Sequence, residues 1–340
     1  MSIQAIETPV PLTFEASARP RAPRRWQGGW QAFVPCAATI VALAVDLLLP
    51  NEQTTLPMSG RYPLLLEWLL GITALLAIAQ LASPSLRAWL RPKTPLVALG
   101  ILTLCAWDLI TLKLGWMPLP YFPGPDMVLR GLVDEWRSLL VNASQSLLLL
   151  STGYIVGVVL GLFSGTAIGW SGGVRYWGMP VLKLVGPIPA TALIPLAMAV
   201  FSSSFFAGAA LIALAVWFPV TMLTASGISN VRVSFLDVAR TLGAGRFYLI
   251  FRVALPAAMP SIFIGLFMGL GAAFLTLIAA ETVGVSAGLG YYVRWRQAYC
   301  EYDKVYAALL VMAAFFSAVM TLLFKVRDRI LVWQKGVIKW

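Results

Sequence analysis

The sequence of 340 residues contains no histidine and only three cysteines, Cys36, Cys105 and Cys300, with no CxxC pair. Too few ligands of the usual kinds remain for a structural zinc site. Without histidine, the chain also lacks the usual general base of a hydrolytic triad. Paired carboxylates, or a nucleophile next to a base, do not occur at a usable spacing. The sequence therefore predicts a protein that is not an enzyme and binds no metal.

Charged residues are also scarce, at 11% of the chain, whereas an ordinary soluble domain has about 25%. Hydrophobic residues make up 59%, and the mean hydropathy is +0.82. A soluble domain of this size needs a polar surface that such a composition cannot supply. The sequence therefore predicts a protein embedded in a lipid bilayer.

Long apolar runs recur along the whole chain. A helix needs about 20 apolar residues to cross the hydrocarbon core, because its backbone groups must be bonded within the segment. Eight segments meet or approach this length, near 33–49, 63–82, 95–114, 143–168, 180–202, 206–228, 257–280 and 305–324. We expect an all-α polytopic membrane protein with about eight transmembrane helices.

Basic residues predict the orientation of these helices. The formal net charge is +11, and the lysines and arginines lie in short segments between apolar runs. If the N-terminus is cytoplasmic, most of them fall on the cytoplasmic side, as the positive-inside rule requires. Both termini are then cytoplasmic. A scattered distribution of this kind differs from the single basic face of a nucleic-acid-binding protein, so we expect no nucleic-acid partner.

Two connections have patterns of their own. The proline-rich stretch 115–125 leads into MVLRGLVDEWRSLL, which predicts either an amphipathic helix at the outer interface or a plain connector. In the stretch 229–256, Gly243 separates two helical patterns and is expected to adopt a positive φ. Pro256 is expected to end the second pattern. This predicts two short helices at the cytoplasmic face.

Helix breakers are concentrated in the fifth apolar segment, at Pro180, Gly186, Pro187, Pro189 and Pro195. A broken helix exposes backbone groups that a protein-lined or watery cavity must satisfy. GPIPATALIP therefore predicts a translocation path, and a bent packing helix is the alternative. The fourth segment instead has glycines four residues apart, which predicts close helix packing. These are Gly153, Gly157, Gly161, Gly165 and Gly169.

The segment after Glu281, TVGVSAGLGYYVRWRQAYC, is expected on the outer side. Arg294 and Arg296 lie beside aromatic residues there. Such arginines could contact an anion or a docking protein, and an ordinary interfacial aromatic belt is the alternative.

The stretch SFLDVARTLGAGRFYLIFRVALPAAMPSIFIGL resembles the cytoplasmic loop signature of binding-protein-dependent ABC importer permeases. That signature is Glu-Ala-Ala, three residues, Gly, nine residues, Ile, one residue and Leu-Pro. The spacing is kept here, and Asp and Val replace the first Glu and Ala. The matching residues are Asp237, Val238, Ala239, Gly243, Val253, Leu255 and Pro256.

Further motifs are similar to those of the nitrate, taurine and alkanesulfonate permeases, among them PGPDMVL, GPIPATALIPL, LPAAMP and AAETVGVSAGLGYYV. This resemblance implies a type I ABC importer permease core at 91–326, with a cytoplasmic coupling loop at 229–256. An additional N-terminal pair of transmembrane helices would occupy 32–90. Cytoplasmic tails at 1–31 and 327–340 complete the expected domain organisation.

The resemblance also implies partners in the bacterial inner membrane. These are two ATPase subunits, a second permease copy in a homodimer, a periplasmic or lipid-anchored solute-binding protein, and membrane lipids. The chain has no GxxxxGK[ST] phosphate-binding loop, so ATP and Mg²⁺ would be bound by the ATPase subunits and this chain would bind no cofactor. The implied solute is a small anion such as nitrate, a sulfonate or taurine, with thiamine-precursor pyrimidines and aromatic acids left open.

Three groups of residues follow as candidate sites. The residues expected to couple to the ATPase are Asp237, Ala239, Gly243, Val253, Leu255 and Pro256. The candidates for the translocation pathway are Pro187, Pro189, Thr191, Glu281, Ser286 and Tyr291. Contact with an anion or the binding protein at the outer face is expected of Arg294 and Arg296. An ATP-independent secondary transporter or channel is the alternative, although few carboxylates lie at mid-membrane depth.

Overall fold

The computed structural model describes residues 33–52 and 60–332, and every regular element in these two ranges is a helix. The all-α prediction is therefore confirmed for the described part of the chain. The predicted N-terminal tail at 1–31 and residues 333–340 of the predicted C-terminal tail lie outside the described residues.

Four helices form the N-terminal part of the structure. They are α1 (Val34–Leu48), α2 (Arg61–Ala82), α3 (Pro84–Leu90) and α4 (Thr94–Asp108), and a π-helical turn at Leu109–Lys113 continues α4. Buried side chains of α1, α2 and α4 form one apolar cluster that includes Ala42, Leu66 and Ile101. At 15 residues α1 is the shortest of the predicted spans, below the roughly 20 residues that a perpendicular span needs.

The predicted amphipathic helix at 127–140 is present but shorter than expected, because the helix breaks at Glu135. Helix α5 (Pro125–Asp134) ends there and α6 (Trp136–Trp170) begins. The two neighbouring carboxylates at the break have different partners. Asp134 pairs with Arg61 at 2.8 Å, whereas Glu135 pairs with Arg296 at 2.9 Å. These opposed contacts anchor α5 on α2 and the start of α6 on the C-terminal part of the chain.

The fifth span is interrupted, as predicted. It consists of α7 (Gly172–Val185), a 3₁₀ turn at Ala190–Leu193 and α8 (Ile194–Val200), and the two halves are bent by 77°. Pro187 and Pro189 lie in the break, and neither can donate a backbone hydrogen bond to the preceding turn. The helix therefore cannot continue through this segment.

The glycines of α6 lie against α9 (Ser204–Ser229), which confirms the predicted close packing. A Cβ atom on Gly157 would lie 2.6 Å from the Ala213 carbonyl oxygen, and one on Gly165 would lie 2.7 Å from the Thr221 carbonyl oxygen. The backbones of α6 and α9 therefore approach each other more closely than any side chain would allow.

After α9 the chain forms α10 (Val233–Thr241), and Gly243 follows with a φ of +83°, as predicted. The expectation that Pro256 ends a short second helix is wrong. Helix α11 (Arg246–Tyr248), a π-helical turn at Leu249–Ala254 and α12 (Leu255–Val283) form one continuous apolar helix. Because a π turn is wider than an α turn, it accommodates the missing N–H and the ring of Pro256 in the first turn of α12.

Two helices complete the fold. Helix α13 (Leu289–Ala298) is short, and α14 (Tyr302–Ile330) is long enough to cross a membrane. Together with α5 and α6 they enclose an apolar cluster that includes Val128, Leu139 and Leu289. In the described ranges six helices can span a bilayer, or seven if the bent pair is one span. With α1 these correspond to the eight predicted segments.

Candidate translocation pathway and coupling loop

A cavity of about 350 Å³ lies at the break in the fifth span. It is enclosed by the break, α9 and α12, and its lining includes Gly186, Pro189, Thr191, Phe218, Met268 and Thr276. Of the predicted pathway residues, Pro189 and Thr191 line the cavity. Pro187 is exposed in the same break and is not part of the lining.

The lining of this cavity is mostly apolar. The Thr276 hydroxyl donates to the carbonyl oxygen of Ala272 at 2.9 Å, whereas the Thr191 hydroxyl has no hydrogen-bond partner among the described residues. None of the described residues that line the cavity is charged. A small solute would therefore meet one available hydroxyl and weak apolar contacts, which suits passage better than tight binding.

Glu281 lies elsewhere, at the C-terminal end of α12. It is 1% exposed, accepts a hydrogen bond from the Ser146 hydroxyl at 2.6 Å and accepts another from the Gly290 backbone N–H at 2.8 Å. No basic side chain among the described residues forms an ion pair with it. The carboxylate therefore depends on uncharged donors and on the N-terminal end of α13.

Three consecutive backbone N–H groups at the start of α13 are bound by side chains from other helices. The Gly288 N–H donates to the Asn142 side-chain oxygen at 3.2 Å, and the Leu289 N–H donates to the Ser146 hydroxyl at 2.8 Å. Gly290 donates to Glu281. We call Asn142, Ser146 and Glu281 the α13 anchor, because they satisfy donors that a helix N-terminus leaves unpaired.

Gly288 makes the α13 anchor possible. Its φ is +113°, a conformation that favours glycine, and an added Cβ would overlap the Glu281 carboxylate. The remaining pathway candidates do not reach the cavity. Ser286 is exposed in the loop before α13, and Tyr291 is half-buried and stacked on Trp295 with ring centroids 6.2 Å apart.

Both arginines predicted to contact an anion have partners within the chain. Arg294 donates to the Thr282 carbonyl oxygen at 2.7 Å, near the C-terminal end of α12. Arg296 pairs with Glu135 at 2.9 Å and Glu301 at 2.6 Å, and Lys304 pairs with Glu301 at 2.9 Å. These ion pairs connect the start of α6, the end of α13 and the start of α14.

Two groups in and beside these ion pairs, Glu301 and Tyr292, have shifted pKa values. Partial burial alone would raise the pKa of Glu301, but hydrogen bonds from Lys304 and Arg296 outweigh it and hold the pKa below its ordinary 4.5. Burial raises the pKa of Tyr292, which lies under the Arg296 guanidinium, to about 12. Glu301 is therefore ionised at neutral pH, whereas Tyr292 is neutral.

The predicted coupling residues lie together at the exposed end of the molecule. Asp237 is exposed on α10 and pairs with Arg240 at 3.0 Å. The Ala244 N–H donates to the Ala239 carbonyl oxygen at 3.0 Å and closes the turn around Gly243. Val253, Leu255 and Pro256 are half-buried where the loop joins α12.

The base of this loop is fixed and its tip is open. Ala254, Ala258 and Ile262 pack with Ile228 in a buried cluster, whereas large apolar side chains at the tip are exposed. These exposed residues are Phe235, Val238, Leu242 and Phe247. The loop therefore combines a packed base with an exposed apolar tip.

Sequence reasoning missed Asn142 and Ser146, the two α6 members of the α13 anchor. A signal was present, because these polar residues lie four positions apart and share one face of an otherwise apolar helix. Their partners could not be found in the same way, since they lie 135 or more positions away along the chain.

Comparison with known proteins places the chain among transport proteins. Residues 157–332 match the family model described as "Binding-protein-dependent transport system inner membrane component". The taurine transport system permease protein TauC of Escherichia coli is 32% identical over 241 residues, which cover 66% of this chain and 86% of that protein. A probable ABC transporter permease protein of Haemophilus influenzae is 30% identical over 220 residues, which cover 65% of this chain and 89% of that protein.

A putative aliphatic sulfonates transport permease protein, SsuC of Bacillus subtilis, is 31% identical over 184 residues, covering 54% of this chain and 67% of that protein. Among solved structures, inward-facing MetNI methionine ABC transporter is similar with a TM-score of 0.47 and 15% identity, covering 58% of this chain and 98% of that chain. The family model covers more than half of the described residues, and it includes the broken span, the coupling loop and the α13 anchor residue Glu281. The chain is a multi-pass membrane protein that belongs to the family of binding-protein-dependent transport system inner membrane components, the permeases of ABC transporters.

Proposed function

We propose that this chain forms the translocation pathway of an ATP-driven importer for a small anionic solute and performs no catalysis itself. ATP and Mg²⁺ are bound by two separate ATPase subunits, and a solute-binding protein delivers the solute at the outer face. A second copy of this chain completes the pathway. The permease lies in the bacterial inner membrane with both termini in the cytoplasm.

The observation that carries this proposal is the loop between α9 and α12. It presents an ordered helix, α10, and four large exposed apolar side chains, and its base is packed into the transmembrane helices. A channel or secondary transporter has no need for such an element. A subunit that receives mechanical work from another protein needs an exposed docking tip on a rigid base.

The solute class is proposed from the relatives and from the cavity. Two relatives are named for taurine and for aliphatic sulfonates, so we propose a sulfonate, taurine or a similar small anion such as nitrate. The cavity at the broken span is lined without charged residues in the described chain. Selection for the anion therefore occurs mainly in the binding protein, and the permease lets the solute pass.

At the outer face, both Nη atoms of Arg296 already pair with carboxylates of this chain, so we assign Arg296 to holding α13 in place. Contact with the binding protein is proposed instead for the exposed face of α13. Trp295 and Tyr299 are exposed there, and Arg294 is exposed beside them. Aromatic and arginine side chains are the residue types that most often anchor protein interfaces.

The test compares two glycines of the same loop. Gly243 has a φ of +83° and Gly245 has a φ of −74°, and an added Cβ would meet no atom within 4 Å at either position. Gly243→Val therefore strains only the backbone, whereas Gly245→Val is tolerated. In proteoliposomes that contain the complete importer, we expect Gly243→Val to reduce ATP-dependent uptake of labelled taurine at least tenfold at unchanged membrane insertion.

Gly245→Val is expected to retain uptake within about a factor of two. Equal uptake by the two variants would remove the coupling role from the Gly243 turn. Uptake that needs no ATP in the unsubstituted protein would contradict the importer and favour a secondary transporter or channel.

A further inference from the structure

A second cavity, polar and distinct from the one at the broken span, opens beside the coupling loop. It measures about 610 Å³ and lies between the cytoplasmic ends of α6 and α9 and the helices α10 and α11. Its polar lining includes Arg175, Ser229, Arg240 and Arg246, and no carboxylate is present among the described residues that line it. We call this cavity the arginine cleft.

Arg175 is held in place by the ends of two helices. Its Nε donates to the Ile168 carbonyl oxygen at 3.2 Å, and its Nη2 donates to the Gly169 carbonyl oxygen at 2.9 Å. Nη2 also donates to the Ser229 hydroxyl. A guanidinium fixed in this way keeps its charge at the wall of the cleft without losing more side-chain entropy when a ligand binds.

The other two guanidiniums are available to a ligand. Arg240 pairs with Asp237, but both side chains are more than half exposed and the pair joins positions three apart on one helix. Such surface pairs contribute little and exchange readily. The Arg246 guanidinium forms no hydrogen bond or ion pair with any other residue that the structure describes.

Three guanidiniums and one neighbouring carboxylate, that of Asp237, leave a local excess of positive charge at the cleft. Guanidinium groups bind sulfonate and phosphate oxygens through paired, charge-assisted hydrogen bonds. The cleft is larger than the cavity at the broken span, which is uncharged. The chain therefore offers a strong anion partner beside the 229–256 loop.

We propose that the arginine cleft binds a tetrahedral oxyanion group, as found in sulfonates and phosphate esters. Two sources can supply this group on the cytoplasmic side. One is a small free anion in the cytoplasm, and the other is the phosphate of an anionic lipid headgroup in the inner leaflet. Anion binding in the arginine cleft does not require that the chain transports a solute.

The test uses radiolabelled sulfate and the full chain in phosphatidylcholine nanodiscs, together with any subunits that purify with it. Binding is followed by scintillation proximity at constant ionic strength. We expect saturable binding that weakens about tenfold or more in Arg246→Gln and in Arg240→Gln. Arg246→Lys should recover part of the affinity because it restores the charge without the paired geometry.

The matched control is Arg252→Gln. Arg252 is exposed on the next turns of the same helix but does not line the cleft, so its removal should leave sulfate affinity within a factor of two. Equal weakening in Arg252→Gln and Arg246→Gln would reduce the binding to general surface charge and overturn the proposal.

Nanodiscs that contain phosphatidylglycerol distinguish the two sources. If a headgroup fills the cleft, sulfate binding weakens in these discs and the weakening disappears in Arg246→Gln. If the cleft takes free anions, the lipid has no effect. Sulfate binding that appears only after accessory subunits have been stripped away would overturn the proposal, since the cleft would then be covered by a protein partner.

Discussion

Glu281 is a buried carboxylate, and within the part of the chain that the structure describes its hydrogen bonds come from two uncharged groups, the Ser146 hydroxyl and the Gly290 N–H. An isolated glutamate in a transmembrane helix suggests a pathway residue, and the sequence led to that expectation. In the structure it belongs to the α13 anchor and does not line the cavity at the broken span. Sequence alone could not separate the two roles, because the difference depends on Asn142 and Ser146 of another helix.

The first residue-scale prediction concerns the α13 anchor. Glu281→Ala removes the acceptor of the buried Gly290 N–H, and an unsatisfied buried donor costs about 1–3 kcal/mol. We expect this loss of folding free energy to lower the heat stability of the protein. Heat stability is measured as the temperature at which half of the detergent-solubilised protein remains monodisperse. Ser286→Ala, in the exposed loop nearby, is the control and should change nothing. Equal stability of the two variants would show that the anchor contributes nothing to the fold.

The second residue-scale prediction concerns pH and the ion pairs that Glu301 forms with Arg296 and Lys304. The pKa of Glu301 lies below its ordinary 4.5 in the folded protein, so folding favours the ionised form. Its contribution to stability is therefore complete above pH 4.5 and is lost as the pH falls through the lower folded-state pKa. We expect heat stability to decline between pH 5 and pH 3, and Glu301→Gln to start lower and decline less. An identical pH profile for both proteins would contradict the role given to Glu301.

At the scale of elements, local signals predicted the structure well where the cause is local. The prolines of the fifth span break it, Gly243 adopts a positive φ, and the α6 glycines mark a close helix contact. Two element boundaries were wrong. Pro256 does not end a helix because a π turn accommodates it, and α5 separates from α6 because Asp134 and Glu135 have opposed partners.

The element-scale prediction tests the contact between α6 and α9. Gly157→Ala would place a methyl group 2.6 Å from the Ala213 carbonyl oxygen, so the helices must separate. We expect this separation to lower the free energy of unfolding by about 1–3 kcal/mol. Gly271→Ala in α12 is the matched control, because its Cβ would meet no atom within 4 Å. Alanine favours a helix over glycine by about 1 kcal/mol, so the control should be as stable as the unsubstituted protein or more so.

Heat stability of the two purified variants, compared in the same detergent, checks this prediction. A Gly157→Ala protein as stable as Gly271→Ala would mean that α6 and α9 can move apart freely, and the packed base of the coupling loop would lose its physical support.

At the scale of the whole molecule, polar contacts attach the C-terminal end of α1 and the N-terminal end of α2 to the rest of the chain. The Asp126 carboxylate of α5 accepts from the backbone N–H groups of Arg61 and Tyr62 at 2.7 and 2.9 Å. Lys113 is buried and pairs with Asp46 of α1 at 3.5 Å. These contacts join residues more than 60 positions apart, so no local pattern predicts them.

The features of the candidate site also divide into those with a local cause and those that depend on residues distant in sequence. The break in the fifth span and the turn at Gly243 could be predicted, since proline and glycine act on their own neighbourhood. The functions first assigned to Arg296 and Glu281 could not be assessed, because each depends on partners that the fold brings together. The arginine cleft is of the same kind, with Arg175 more than 60 positions from Arg240.

The central claim is that this permease works with an ATPase and a binding protein, and one measurement tests it most directly. The tagged chain is purified from its native membrane in mild detergent, its partners are identified by mass spectrometry, and ATP hydrolysis is measured with and without the recovered binding protein. We expect an ATPase subunit to purify with the chain and its turnover to rise severalfold when the binding protein and its solute are added. Recovery of the chain alone, with solute uptake in proteoliposomes that needs no ATP, would contradict the claim.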